Sequence, residues 1–332
     1  MSLLPGNYVA ILDVGHGNCC VVSDNGETCV IDTGLGTALL EFLTERGVTK
    51  LGFVLLSHAD QDHISGLLHL LASKEVTIDR VRLNTDAAKQ TKLWKNLLYE
   101  LEQQESQGKL NWEVQLTADS SEDFPVGNVE LEVIAPGKVL AGLGAGNKTN
   151  EGKKITSNSV SAVILHVKSG KVIAAVPGDV DQVGLNDLKR RLLGKQLSAP
   201  ILVYPHHGGL SGSGSSEKFA SDICEMFSPE VVIFSIGRGL HSTPRPEIVA
   251  AVRKKVSNVR IACTQLSEHC AATVPTFDAS HLLPVYSDGR TERRCCAGTM
   301  VIDVDASGEL RPTDADHGAF IDRHAETAIC RR

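Results

Sequence analysis

The stretch Ser57-His58-Ala59-Asp60-Gln61-Asp62-His63 follows directly on Phe53-Val54-Leu55-Leu56. A continuously apolar run of that kind suits a strand buried on both faces. At its end, two imidazoles and two carboxylates fall within six residues. The spacing i, i+2, i+4, i+5 suits side chains that converge from a tight turn, enough to feed two adjacent metal ions. The plain alternative is a solvated polar turn that happens to contain two histidines. The apolar strand before the cluster, and matching residues far along the chain, weigh against it.

Those matching residues also stand at strand ends. Val176-Pro177-Gly178-Asp179 places a carboxylate after an apolar segment, although an Asp there also suits the cap of a following helix. Pro205-His206-His207-Gly208-Gly209 puts two imidazoles after another apolar segment, with glycines that permit close approach of a ligand. Asp32, in Asp32-Thr33-Gly34, is a further strand-to-loop acid, read as supporting a ligand rather than binding metal itself.

Outward from these points the chain reads as two β-rich halves, each flanked by helices. Strands are expected at residues 9–14, 19–23, 28–32 and 53–56, with Asn25-Gly26 as a hairpin turn because Asn-Gly tolerates positive φ. Helices are expected just after Gly36, over 64–73 and over 87–106. Further strands follow at 112–116, 129–134, 160–167 and 171–176. The Gly- and Lys-rich stretch 137–157 reads as a lid, binding loop or disordered segment. The second half alternates strands at 201–204, 231–235 and 259–263 with helices at 215–227 and 244–256. This order fits a four-layer αββα sandwich better than a doubly wound sheet. One domain over 1–312 is expected, with an extension containing cysteines from about 263 and a polar, peripheral tail over 313–332.

Composition narrows the function. The 332 residues carry 33 basic and 40 acidic side chains, a net charge of −7. A protein that held nucleic acid chiefly by neutralising phosphates would be basic, so such contacts must be local or metal-mediated. Aromatic residues make up only 4%, which weakens a base-stacking platform. No run of 18 apolar residues reads as a membrane span, and the first residues carry no secretion signal. Nine cysteines, at 19, 20, 29, 224, 263, 270, 295, 296 and 330, then read as the thiols of a reduced, cytoplasmic protein.

The pattern H-x-D-x-D-H, followed by Gly178-Asp179 and Pro205-His206-His207-Gly208, resembles the metallo-β-lactamase superfamily. Within it the chain is most similar to the ComEC-type competence hydrolase branch, here as a stand-alone soluble member. The branch's elements appear as Asp13-Val14-Gly15-His16-Gly17-Asn18, Ser57 through Gly66, Asn158-Ser159-Val160-Ser161-Ala162-Val163, Pro177-Gly178-Asp179 and Pro205 through Gly209. The resemblance implies a four-layer αββα metallo-β-lactamase sandwich with two divalent ions, Zn²⁺ or Mn²⁺, between the sheets. It places His58 and Asp60 on one ion, Asp62 and His63 on the other, and Asp179 as a bridge. His206 or His207 would complete the second site, and Asn158 is the candidate where many members carry a further histidine.

Asp32 and His16 would support these ligands, and His207 or His241 would give a proton to the leaving oxygen. Asp62 belongs to the catalytic set as well. The sequence departs from the branch at His16 and Asn18, which replace Gln and Asp. It departs again at Gly209, which replaces a serine that Ser211 or Ser213 would have to supply, and at His241-Ser242-Thr243-Pro244-Arg245-Pro246. There the prolines also suit a helix start. Asp60, where many hydrolases of the superfamily carry histidine, makes the set harder and tilts it toward Mn²⁺ without excluding Zn²⁺.

Cys263, His269, Cys270, Cys295 and Cys296 form a second group of metal-ligand type. Their spacing matches no standard zinc knuckle; buried thiols are the default reading, and a structural zinc the sharper one. The leading expectation for function is a metal-dependent phosphodiesterase or nuclease using a metal-activated water. Its substrate would be a phosphodiester or other anionic small molecule, or nucleic acid. Two alternatives remain open: a hydrolase of a lactone or thioester, and a metal-binding effector active only with a partner protein.

Overall fold

The computed structural model describes residues 4–212, 214–276, 280–305, 308–325 and 327–331. In chain order it runs β1 (Tyr8–Ile11), β2 (Cys19–Asp24), β3 (Glu27–Thr33), α1 (Ala38–Glu45), β4 (Lys50–Leu55), α2 (Gln61–Ser73), β5 (Thr77–Arg82), α3 (Lys92–Ser106) and β6 (Asn111–Glu113). It continues with β7 (Pro125–Val126), β8 (Val129–Ala135), α4 (Lys138–Leu143), β9 (Val163–Lys168), β10 (Lys171–Val176), α5 (Gln182–Arg191), β11 (Ile201–Val203), α6 (Ser216–Phe227) and β12 (Val231–Phe234). The last elements are α7 (Pro246–Lys255), β13 (Arg260–Cys263), β14 (Met300–Asp303), β15 (Leu310–Arg311) and α8 (Asp314–His324).

Among the described residues the strands form two sheets, ordered β15-β14-β1-β2-β3-β4-β5-β6 and β13-β12-β11-β10-β9-β8-β7. The alternation of side chains along each central strand explains the layering. Tyr8 and Ala10 of β1, Val21 of β2 and Val54 of β4 pack with Leu39, Phe42 and Leu67 of the helices outside the first sheet. Their neighbours Val9, Ile11, Val22 and Leu55 face inward, against Ile164, Ala174, Val176 and Val203 of the second sheet. On that sheet's far side Leu165, Leu202 and Phe234 pack with Phe219, Ile223 and Val249. The result is the expected αββα sandwich. No helix among the described residues is long and apolar enough to cross a membrane.

Four segments differ from the sequence expectations. The stretch 137–157 is not an open loop: it contains α4 and a bridge between Lys148 and Lys154, and Leu140 and Ile155 are buried with Val160. The helix expected from residue 87 starts at Lys92, because the Thr91 hydroxyl accepts from Trp94 N and caps it there. The tail is not peripheral: α8 places Phe320 and Ile321, and the turn after it Ala325 and Ala328, in the core beside the second sheet. Its charged residues mask an apolar face in the composition. Finally, β14 pairs antiparallel with β1, Tyr8 opposite Asp303 and Ile11 opposite Met300, so the C-terminal region completes the first sheet.

Candidate metal centre

The residues singled out above meet where the C-terminal ends of β3, β4, β10, β11 and β12 come together at one rim of the sandwich. After β4 the chain turns, and Asp62 and His63 occupy the first turn of α2, with Asp60 just before it. A carboxylate in a first turn suits the positive end of the helix dipole. Gly17 lies against this turn so closely that a Cβ there would stand 2.2 Å from the Asp62 carbonyl oxygen. The first motif therefore needs glycine at that place. Asp179 follows β10, held by a bond from its backbone N–H to Ser161 Oγ at 3.1 Å. His206 and His207 follow β11, both in the left-handed region (φ 53° and 55°). Strained backbone of this sort persists only where the surroundings impose it, and it gathers at functional sites.

The geometry centres on Asp62, His63, Asp179 and His207, whose ligand atoms all lie within 4.8 Å of one another. His207 Nε2 is 3.0 Å from Asp62 Oδ2 and 3.6 Å from Asp179 Oδ2. His63 Nε2 is 3.6 Å from Asp179 Oδ1. Each imidazole is oriented from behind. His63 Nδ1 donates to Asp32 Oδ2 at 2.7 Å, and His207 Nδ1 donates to the Ser235 carbonyl at 2.7 Å. Such partners fix which ring nitrogen faces the centre. Asp32 also accepts from the Ser57 backbone N–H and hydroxyl, each at 2.7 Å, so one buried acid organises both Ser57 and His63.

On the neighbouring side, His58 Nε2 is 3.7 Å from Asp60 Oδ2. His206 Nδ1 is 3.7 Å from Asp179 Oδ2 and 3.4 Å from Asn158 Nδ2. Asn158 thus lies against His206, its amide nitrogen turned to the ring.

The donor set fits a divalent cation. His58 Nε2 and His63 Nε2 are buried without a hydrogen-bond partner, and a buried imidazole nitrogen with neither water nor protein to bond is costly. Charge tells the same story. Burial works to raise the Asp62 and Asp179 carboxyls, yet the imidazoles of His63 and His207 hold both below the usual range. The same pairs push His63 and His207 up against burial, through Asp32 and Asp179 for the former and Asp179 and Asp62 for the latter. A cation competes with those protons for the same nitrogens, so its binding releases protons.

Above the centre opens a cleft of ≈ 400 Å³ whose lining includes His16, Asp60, Leu210, His241 and Arg245. The His16 ring stands between those of His207 and His241, with centroids 4.4 and 4.6 Å away. Burial and the nearby His207 lower His16 to about 4. His241 is exposed at the mouth. His207, by contrast, has both ring nitrogens engaged, Nδ1 with the Ser235 carbonyl and Nε2 with Asp62. Ser211 is buried, and Ser213 lies outside the described residues.

The second expected group divides: Cys263, Cys270 and Cys296 lie near one another with Cys330, whereas His269 and Cys295 are directed elsewhere, and no three of these ligand atoms fall within 4.8 Å of one another. His269 Nε2 bonds the Ser242 carbonyl at 3.1 Å, and Cys295 Sγ points to Asp13 Oδ2 at 3.3 Å. Cys296 Sγ meets His317 Nε2 at 3.2 Å, while Cys263 and Cys270 are buried in the core of the second sheet's outer layer. No disulfide links the nine cysteines. Among the described residues, the acid–histidine set is the one group of three or more potential ligands within 4.8 Å of one another. Sequence reading also missed Lys89, whose Nζ donates to Asp60 Oδ1. Nothing in its local sequence marks it, since it sits among residues that look helical.

No curated protein matches the chain. Among solved structures, YhfI from Bacillus subtilis, a metallo-beta-lactamase fold protein, is 11% identical with a TM-score of 0.49, covering 79% of this chain and 98% of that one. Igni18, a metallo hydrolase from the archaeon Ignicoccus hospitalis, is 16% identical with a TM-score of 0.45, covering 79% and 97%. Zn²⁺-bound PqqB from Methylobacterium extorquens is 13% identical with a TM-score of 0.43, covering 75% and 85%. Values this low tie none of their chemistry to this chain. The family model does more, because it matches residues 12–216 and so spans every acid and histidine of the four-ligand set. With well over half of its length matched, the chain belongs to the metallo-beta-lactamase superfamily.

Proposed function

We propose that this chain is a metal-dependent hydrolase of phosphodiesters, of the ComEC-type competence hydrolase kind. The observation that carries the reading is the oxygen-rich donor set: Asp60, Asp62 and Asp179 stand among the imidazoles at the floor of an open cleft with His241 and Arg245 at its mouth. Carboxylates in place of imidazoles favour harder cations such as Mn²⁺, with Zn²⁺ still accommodated. A divalent cation bound there lowers the pKa of water and polarises a phosphoryl oxygen.

The chain's own residues do the rest. Asp62, His63, Asp179 and His207 hold the cation, and Asp32 and the Ser235 carbonyl keep the two rings aimed. Arg245 meets the anionic oxygens of a phosphodiester, and His241 delivers a proton to the leaving oxygen. An overall charge of −7 places the attraction for an anion in the site itself.

The test is hydrolysis of bis(p-nitrophenyl) phosphate by Mn²⁺- or Zn²⁺-loaded protein, run beside Asp62→Ala, His63→Ala and a panel of lactones and thioesters. Turnover of the phosphodiester, lost in both variants, is expected. Turnover of lactones or thioesters with none of the phosphodiester overturns the reading.

A further inference from the structure

The two halves of the acid–histidine site are unequal. One half presents four ligand atoms, from Asp62, His63, Asp179 and His207, within 4.8 Å of one another. The other offers His58 Nε2 and Asp60 Oδ2, 3.7 Å apart, and next to His206 stands the amide of Asn158 rather than another imidazole. Among the described residues no further histidine, cysteine or carboxylate closes this half into a set of its own. What reaches it is a cation of the chain itself, the Lys89 ammonium, donating to Asp60 Oδ1.

Lys89 is held in place by a built turn. Its backbone N–H bonds Asp86 twice, to the carbonyl at 3.1 Å and to Oδ1 at 3.0 Å. The other oxygen of the buried Asp86 carboxylate accepts from the Ser157 hydroxyl, next in sequence to Asn158. Asn84 ties the start of the same stretch to the carbonyls of Leu116 and Val160, at 2.7 and 3.3 Å. The segment that presents Lys89 is thereby fixed to the segment that presents Asn158. Asp60 immediately precedes α2 but gives its side chain to no backbone group of that helix. The carboxylate faces His58 and Lys89 instead, with the lysine side chain only 22% exposed.

We propose that the chain holds one divalent cation tightly, on Asp62, His63, Asp179 and His207, and that Lys89 takes the place of a second tight cation by neutralising Asp60. The inference rests on the metal-site reading above and deepens it. A second ion approaching Asp60 and the unpartnered His58 Nε2 meets fewer ligands and the repulsion of an ammonium, so it binds weakly.

Metal-depleted full-length protein titrated with Mn²⁺, with bound ion counted by equilibrium dialysis and followed by electron paramagnetic resonance, tests this without reference to turnover. The expected result is one tight ion giving the hyperfine-resolved spectrum of an isolated centre, and a second at least tenfold weaker. Lys89→Met should strengthen the second ion at least tenfold and produce a coupled pair at two equivalents. Asp60→Asn should keep the first ion, and Asp62→Asn should release it. Two wild-type ions within tenfold of each other in affinity overturn the proposal, as does loss of the first ion in Asp60→Asn. An unchanged second affinity in Lys89→Met overturns the part given to the lysine. One tight ion without phosphodiester turnover removes the substrate reading and leaves this one standing; no tight ion at all removes both.

Discussion

Two regions of this chain carry side chains of metal-ligand type, and desolvation acts on both, with opposite results. At the rim of the sandwich His63 and His207 are pushed up despite burial, because Asp32, Asp62 and Asp179 surround them. Around the buried face of α8 there are thiols, and the acids of that helix, Asp314, Asp316 and Asp322, are exposed. His317 is lowered to about 3 by burial, aided by Arg260. Burial likewise pushes the Cys263 and Cys296 thiols well up and Cys330 to about 11. The rim sets acids against imidazoles, whereas the layer beside α8 gathers Cys263, Cys270, Cys296 and Cys330, thiols that burial keeps neutral. Ligand-type residues are thus a site only where the fold also supplies the opposing charge and orients the donor atoms.

The comparison breaks most readily in metal content. Asp62→Ala should lower Mn²⁺ affinity and phosphodiester turnover by roughly a hundredfold or more, beyond the 10–100-fold typical of an outer partner. Cys296→Ser should leave both unchanged. Loss of bound metal from Cys296→Ser, measured by elemental analysis, would erase the distinction. The next effect belongs to Asp32→Ala, which frees His63 Nδ1 from its 2.7 Å bond. A loss of about 10–100-fold in metal affinity is expected, read by competition with a chelator.

A smaller effect is the pH dependence of stability around α8. The folded-state pKa of His317, about 3, lies below its ordinary 6.5. Between those values the unfolded chain binds a proton that the folded chain does not. This contribution is therefore fully present above pH 6.5 and is lost as pH falls toward 3, at up to about 1.4 kcal/mol per pH unit. Urea unfolding of His317→Phe over that range should show a shallower acid slope than the unsubstituted chain. An identical slope would mean that His317 is solvated or already protonated in the fold. Cys263→Ala should cost the least, about 1–2 kcal/mol at neutral pH, the scale of trimming a buried side chain.

Much of the site was legible because its ligand types cluster locally. His58 through His63 lie within six residues, and Asp179 and the histidine pair follow apolar runs whose strand character is evident. Lys89 was not legible, since a lysine at a helix-like position carries no signal until the turn held by Asp86 and Ser157 aims it at Asp60. Nor was the Ser235 carbonyl, because a backbone acceptor has no residue type. In the cysteine group, spacing along the chain did not reveal that Cys295 turns to Asp13 and His269 to Ser242, or that Cys330 joins Cys263, Cys270 and Cys296.

Alternating and continuous apolar runs already imply the αββα layering, and the acids and histidines at the strand ends already name the donor atoms. How those donors divide depends on the packed fold. It set His207 between Asp62 and Asp179, and His206 beside Asp179 and Asn158; it also brought Asp32 behind His63 and Lys89 onto Asp60, paired β14 with β1, and buried one face of α8. The physical reason is distance along the chain. His207 and Asp62 are 145 positions apart, and their 3.0 Å approach depends on the packing of two sheets. Residue type is a local property of the chain, whereas the direction of a lone pair is a property of the assembled core.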